Sequence, residues 1–429
     1  DATIGVMQED AKDLKVEFPK DFLWGASTSG HQVEGGNHDQ WTVWELSHAE
    51  ELAKSAEKRY GHLVAWPDIK KDAQNPHNYI SGKGVDHYHR YKEDFGLAKQ
   101  LNLNGFRFGI EWARLEPEEG KWNEVAVEHY RQYIGELKKM DIEPVLNAWH
   151  WSEPVWFAAK GGFKKRANIK YFIRFIDKIC TEYGHMLRYF ITLNEPNNYA
   201  SFGYILGTWP PQERSVISAS WVYWNLVMAH RQAYKLIKHR YPEMQVGMAA
   251  QLANIQAKRP HNFFDETTTK LMRYFWNWWF LRRVRRQQDF VGFNYYFTDY
   301  YTGIFKRENP KIPLSDLGWY MEPEGLYPLL LRVWARYKKP IMITENGAAD
   351  RKDEYRRWWI EETIVAMQRA MSEGVKIRGY FHWSLLDNFE WADGWWPKFG
   401  LIKVDRDNGM ERTIRPSAKW FAERIKKLS

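Results

Sequence analysis

The chain has 429 residues, 44% hydrophobic and 27% charged, with a net charge of +8. This is a globular composition, long enough for one large barrel or about two to three average domains. No apolar run approaches the roughly 20 residues of a spanning helix, and the lysines and arginines form no separate basic tract, so neither a membrane nor a nucleic acid is expected as a partner.

In chain order, residues 1–17 read as an N-terminal arm leading to Phe18-Pro19. Residues 22–30 read as a first strand, and 31–36 as the loop after it. Residues 37–84, with several Pro, Gly and His, are expected to form a long loop with short helices. An alternation then sets in. Helix 87–101, with Tyr91, Phe95 and Ala98 on one face, precedes strand 105–112. Helix 123–140, capped by Asn123 and striped by Val127, Tyr130, Ile134 and Leu137, precedes strand 143–151. Helix 168–183 leads to strand 189–195, helix 215–240 to strand 245–253, and helix 265–285, which carries a tryptophan cluster, to strand 290–297. Helix 324–337 precedes strand 340–344, helix 351–372 precedes strand 377–386, and helix 417–428 closes the chain.

The strands are apolar through most of their length, as in a parallel sheet covered by helices. Eight strand-then-helix units with no linker between them predict one domain over residues 1–429, a single α/β (β/α)8 barrel. A doubly wound open sheet is the alternative, but no Gly-rich phosphate loop follows the first strand. Cys180, the one cysteine, lies on the apolar stripe Phe172, Phe175, Ile176, Ile179, Tyr183 and is expected to be a buried, inert thiol. With no internal disulfide to form, a reducing, cytoplasmic compartment is expected. The first twenty residues hold no apolar signal core, although a chain beginning at Asp1 leaves a removed leader open. His87 and His89 point apart at the start of a helix and are not expected to pair on a metal.

In a barrel the site lies at the C-terminal ends of the strands. Two of those ends share one design. Pro340-Ile-Met-Ile-Thr-Glu345 and Tyr189-Phe-Ile-Thr-Leu-Asn-Glu195 each run apolar and finish in a glutamate. A carboxylate at the tip of a buried strand loses water and needs partners. Each alone could simply reach solvent; facing each other, they would supply the carboxyl pair that cleaves glycosidic bonds. The remaining ends present Gln32, Glu34, Arg107, His150, Asn194, Asn294, Tyr296, Trp383, Glu390 and Trp391. A structural network accounts for one or two such residues and poorly for so many. The 17% aromatic content also suits the C–H-rich faces of sugars.

Several of these stretches together resemble glycoside hydrolase family 1, the retaining β-glycosidases of the β-glucosidase type, from about Phe18 to the C-terminus. They are Phe22-Leu-Trp-Gly-Ala-Ser-Thr-Ser with Gln32-Val-Glu-Gly, Phe106-Arg-Phe-Gly-Ile-Glu-Trp-Ala-Arg114, Leu193-Asn-Glu-Pro196, Phe293-Asn-Tyr-Tyr296, Ile343-Thr-Glu-Asn-Gly347, and Trp383-Ser-Leu-Leu-Asp-Asn-Phe-Glu-Trp391. The resemblance implies a TIM-barrel O-glycosyl hydrolase with Glu345 as nucleophile and Glu195 as general acid/base, supported by Arg107, Asn294 and Tyr296. It sets Gln32, His150, Asn194, Glu390 and Trp391 against ring hydroxyls, Trp383 as a stacking floor, and Trp319 on the aglycone side, with Phe399 also against the substrate. Arg107 and Tyr296 would favour the charged form of Glu345, whose charge would in turn raise the proton affinity of Glu195.

The activity implied by this resemblance is exo-hydrolysis of terminal β-D-glucosyl, and galactosyl or fucosyl, residues from small glycosides or oligosaccharides, by double displacement and without metal or cofactor. A transglycosylase of the same family and a non-hydrolytic sugar-binding barrel are the alternatives, and a homo-oligomer is left open. Relatives acting on 6-phosphorylated sugars lack a glutamate at the place of Glu390, where a carboxylate would repel phosphate. The plant thioglucosidases of the family carry glutamine at the place of Glu195. Gly109 and Ala113 are small departures from the family pattern. Residues 254–289 are shorter than usual for it. Their aromatic cluster, Phe275, Trp276, Trp278 and Trp279, is expected to pack a helix on the barrel, with a subunit contact or an extra apolar surface as alternatives.

Overall fold

The computed structural model describes residues 16–428, so most of the expected arm lies outside the described residues. Eight strands pair in parallel in sequence order: β1 (Leu23–Ser27), β2 (Gly105–Gly109), β3 (Glu143–Asn147), β4 (Tyr189–Asn194), β5 (Gln245–Gln251), β6 (Val291–Tyr295), β7 (Ile341–Asn346) and β8 (Ile377–Trp383). β8 closes on β1, with Leu23 opposite Gly379 and Ser27 opposite Trp383. This is the (β/α)8 barrel that the alternation predicts.

The N-terminal end of the barrel is stopped with apolar side chains: Leu23, Val145, Tyr189, Ile191, Ala249, Phe290, Met342 and Phe381 form one buried cluster. The Phe381 ring fits because β1 has glycine beside it; a Cβ on Gly25 would lie 2.4 Å from Phe381 Cδ1. Access to the interior is therefore from the C-terminal end. Much of the aromatic surplus is packed inside the protein: Phe18, Phe22 and Trp24 are in mutual contact, and Trp112 stacks 5.0 Å from Phe175 at 12° where two helices meet. Cys180 is buried on its helix as expected, and burial pushes its thiol up to about 12. His87 bonds Asp94 and Tyr133 inside the protein while His89 turns out to Asp86.

Several elements differ from the expectation. Gly30–Val33, expected as strand end and loop, is a short helix, and the strand expected over 105–112 ends at Gly109, with Trp112–Leu115 helical. Residues 37–84 hold a 15-residue helix, Gln40–Lys54, followed by Ala56–Tyr60 and Trp66–Ala73. The long helix starts in a capping box, with Asp39 Oδ1 accepting from Thr42 N and Asp39 N donating to Thr42 Oγ1, both at 2.9 Å. The expected helix 265–285 runs as Phe263–Met272, a wider π-helical stretch Arg273–Trp278, then Trp279–Val284. In that stretch the Asn277 side chain bonds both backbone groups of Ala253, at 3.1 and 2.9 Å, and Trp276 Nε1 donates to Gln251. The helix expected from 351 begins at Arg356, because the Asp350 carboxylate collects the N–H groups of Glu354, Tyr355 and Arg356 and folds 351–355 into a loop. The structure also adds two small sheets, Ile402–Asp405 with Glu411–Ile414, and Asn254–Ala257 with Thr298–Thr302 and Lys306–Arg307.

Candidate active site

Arg107 on β2 is completely buried, so its charge has to be met inside the barrel. Nη1 donates to Glu345 Oε1, and Nη2 donates to Asn194 Oδ1 at 2.7 Å. Glu345 reaches this position through a break in register. Ile343 lies opposite Phe293, yet Glu345, two residues on, lies opposite Asn294, one residue on. Such a bulge re-aims the side chain that follows it. Beyond Glu345 the chain passes so close to β8 that a Cβ on Gly347 would lie 2.0 Å from the Trp383 carbonyl oxygen; only glycine fits.

β4 has its own register shift between Ile191 and Asn194. Glu195 then takes a left-handed backbone conformation, φ +42°, pinned by its N–H donating to Ala249 O at 2.7 Å. Such a conformation costs a non-glycine residue about 1–3 kcal/mol, and it sits where two apolar strand ends present their carboxyls. Glu195 Oε1 accepts from Asn294 Nδ2 at 2.7 Å, and Oε2 from Asn198 Nδ2 at 2.6 Å. Glu345 Oε2 accepts from Tyr296 Oη at 2.6 Å. Asn294 is held by Thr344 Oγ1, 2.5 Å from its Oδ1, and its amide lowers the proton affinity of both carboxyls. The two glutamates therefore share one buried network, each only 3% exposed.

Burial is the largest influence on both carboxyls and raises both pKa values. For Glu195 the charge of Glu345 adds to burial, and the result lies well above the ordinary carboxyl range. For Glu345, Arg107 and Tyr296 oppose burial as expected; burial still prevails, so its pKa is raised rather than lowered. Glu195 is accordingly the stronger holder of the proton.

The remaining expected residues gather around this pair. His150 Nε2 accepts from Asn194 Nδ2 at 2.9 Å, and burial together with Arg107 holds its pKa well below the usual imidazole value. Its ring stacks 5.7 Å from Trp383 and 5.9 Å from Trp391. Gln32 donates to Phe389 O at 2.6 Å, with its Nε2 3.5 Å from Glu390 Oε2, and Asn388 donates to the same oxygen at 2.8 Å. Burial pushes the Glu390 carboxyl up to about 8, so near neutrality it can donate as well as accept. Tyr296, Trp383 and Phe399 form one buried cluster with Trp319 packed on it. Glu34 faces away, accepting from Tyr130 Oη at 2.8 Å and Arg114 Nε at 3.1 Å. Two surface cavities of about 330 and 470 Å³ lie elsewhere, one lined by Glu322 and Glu324, the other by Arg406 and Arg415.

The model of glycosyl hydrolase family 1 matches residues 14–288 and 281–428. The chain belongs to that family. Among curated family 1 relatives, beta-glucosidase A of Acetivibrio thermocellus is 28% identical over 468 residues, covering 96% of this chain and 99% of the relative. Galactolipid galactosyltransferase SFR2 of Arabidopsis thaliana is 28% identical over 452 residues, covering 94% of this chain and 72% of the relative. The solved structure of a beta-glycosidase from Pyrococcus horikoshii superposes with a TM-score of 0.84 at 31% identity, covering 96% of each chain. This chain is thus a family 1 glycoside hydrolase of the β-glycosidase kind.

Three features of this family 1 site are not visible in the sequence. Asn198 holds Glu195 from three residues on, a spacing that places both on one side of a helical turn. Asn388 holds Glu390 from two residues before it. The third is His31, whose Nδ1 and Nε2 each lie 2.7 Å from a carboxylate, Asp39 and Glu45. Burial is the largest influence on its pKa and lowers it, yet the two carboxylates together raise the imidazole well above its usual value. Trp391 stacks on this buried ring at 5.3 Å and 7°, so its indole lies between His31 and His150.

Proposed function

We propose that this protein is a retaining exo-β-glycosidase in which Glu345 is the nucleophile and Glu195 the general acid/base. The observation that carries the assignment is the unequal hold on protons within one network: Arg107 and Tyr296 favour an ionised Glu345, while burial and the charge of Glu345 keep the proton on Glu195. In the first step a Glu345 oxygen attacks the anomeric carbon from the α face. The bond to the leaving oxygen breaks, and Glu195 gives that oxygen its proton. Ester formation removes the charge of Glu345, so the proton affinity of Glu195 falls and it can take a proton from water. Attack of that water releases the sugar with retained β configuration and frees Glu345. Asn194, held between Arg107 and His150, is assigned to the 2-hydroxyl, where contacts strengthen in the transition state.

The substrate in this reading is a small β-glycoside or oligosaccharide with a terminal glucosyl, galactosyl or fucosyl residue. Exo action is read from the burial of the two glutamates, each 3% exposed, together with the assignment of Gln32, Glu390 and Trp391 to the terminal sugar. Gln32 and Glu390 suit the outer hydroxyls, Trp383 the sugar face, and Trp319 with Phe399 the aglycone. We read residues 1–429 as one catalytic domain and, on the strength of its lone buried thiol, assign it to the cytoplasm. The galactosyltransferase relative favours a second reading, transfer of the glycosyl ester to a sugar acceptor, which product analysis at raised acceptor concentration separates from hydrolysis.

The test is Glu345→Gly. We expect it to abolish turnover of nitrophenyl β-glycosides, with azide restoring release and yielding an α-glycosyl azide. A β-azide from this variant would reverse the two roles.

A further inference from the structure

Beyond β5 and β6 the chain does not fold straight back onto the barrel. Asn254–Ala257 and Thr298–Thr302 leave the C-terminal ends of those strands and pair in parallel, Asn254 with Thr298 and Ala257 with Tyr301. The second continues into a hairpin in which Thr302 faces Lys306 across the three-residue loop Gly303-Ile304-Phe305. The first leads to the start of helix Phe263–Met272. A buried carboxylate, Asp265, clamps the two pieces together. It accepts from Arg259 Nε at 3.0 Å, Arg259 Nη2 at 2.9 Å and Gly303 N at 2.8 Å, while Thr268 Oγ1 donates to Gly303 O at 2.7 Å.

This firmly built tip ends in four large apolar side chains held out to solvent: Phe263 (74% exposed), Phe264 (57%), Ile304 (75%) and Phe305 (55%). Scattered exposed apolar residues are ordinary; four on one clamped projection are not. Lys258, Lys270, Lys306 and Arg307 surround them, all exposed, with Arg259 left 59% exposed by its clamp. Across residues 258–311 there are eleven Lys and Arg against five Asp and Glu, but four of the arginines, within 282–286, sit at the far end of the helix, so the excess near the tip is small. Lys306 also pairs with Glu308 at 3.3 Å and Arg307 with Asp299 at 3.6 Å, while Lys258 and Lys270 are exposed. The tip leaves the barrel on the side of the active-site mouth. The helix after β4, on the adjacent strand, adds exposed Val216, Ile217 and Trp221 to the same rim.

We propose that this tip is a membrane-docking surface for an anionic lipid bilayer, with Phe263, Phe264, Ile304 and Phe305 entering the headgroup region and the surrounding cations meeting lipid phosphates. Apolar side chains on a projection ringed by positive charge match the boundary between acyl chains and anionic headgroups. A second copy of the chain fits less well, because a contact between two such tips would bring their lysines and arginines together. Among the described residues no helix is long and apolar enough to cross a membrane, so the attachment is to the surface.

The test is sedimentation of the full chain with vesicles of phosphatidylcholine and phosphatidylglycerol in equal parts, against pure phosphatidylcholine. The wild type is expected to bind the mixed vesicles, more weakly as salt rises. Phe263→Ser with Phe305→Ser should weaken that binding by roughly tenfold or more. Lys306→Glu with Arg307→Glu, exposed charge swaps that leave the clamp intact, should weaken it at least about fivefold. Neither pair should change the melting temperature or nitrophenyl glycoside hydrolysis. Absence of vesicle binding, or binding that survives both variant pairs, overturns the proposal. So does a concentration-dependent dimer in light scattering that only the Phe variants abolish, which would give the tip to a second copy.

Discussion

Tyr296 separates two carboxyls that burial alone would make alike. Its hydroxyl donates to Glu345 and favours the ionised form, while Glu195 has amide donors and a negative neighbour. Tyr296→Phe removes a donor that lowers the Glu345 pKa. The folded pKa of the nucleophile should rise, and the acidic limb of the kcat/KM profile should move to higher pH. A pH–rate series on an activated glycoside reads this directly, and an unmoved acidic limb would mean that Tyr296 does not bear on the ionisation. At this scale Glu195 and Glu345 stand out in the sequence, because an apolar run that stops in a charge is a local pattern. His31 does not, since its carboxylates come from Asp39 and from Glu45 on a helix the pattern does not predict. Nor is it legible that burial outweighs Arg107 at Glu345, since that depends on how tightly the barrel closes.

That unpredicted helix, Gln40–Lys54, buries Trp41, Trp44, Glu45, Ala49 and Ala53. That stripe falls at helical spacing, but a glutamate and two alanines make it weakly apolar, and Pro, Gly and His further along make the whole region resemble a loop. Its start is where fold and site meet, since Asp39 both caps the helix and pairs with His31 beneath Trp391. Thr42→Ala removes one reciprocal cap bond and should cost about 1 kcal/mol. Asp39→Ala leaves the buried imidazolium short of a partner and should cost about 3–5 kcal/mol; denaturant midpoints compare the two, and equal losses would contradict the pairing. The His31 pKa is raised on folding, so its contribution is complete below the unfolded value of about 6.5 and fades as pH climbs through the folded value. The gap between the two variants should therefore narrow in alkali. Helix 263–284 looks continuous in the sequence because closely spaced aromatic residues hide a widened turn; Asn277, needed by the backbone of Ala253, is what fixes it.

At the scale of the molecule, eight apolar strands separated by amphipathic helices are enough to give the barrel, since few other arrangements cover a parallel sheet of that length. The small sheet beyond β5 and β6 is not legible: its strands are two to five residues long, and the first stands about forty residues before the second. For the same reason the positive charge looks scattered along the chain, although Lys258, Lys306 and Arg307 come together in space. The barrel concentrates the chemistry in the same way. Its apolar plug closes one end, so Arg107, Asn294, Glu195 and Glu345 face a single opening. The most direct test of that arrangement is mass spectrometry of the protein after reaction with a 2-deoxy-2-fluoro-β-glucosyl fluoride, which slows hydrolysis of the glycosyl ester. One fluoroglucosyl group is expected, attached to Glu345 in the peptide map. A label on Glu195, or β-glycoside turnover that releases the α-anomer first, would contradict it.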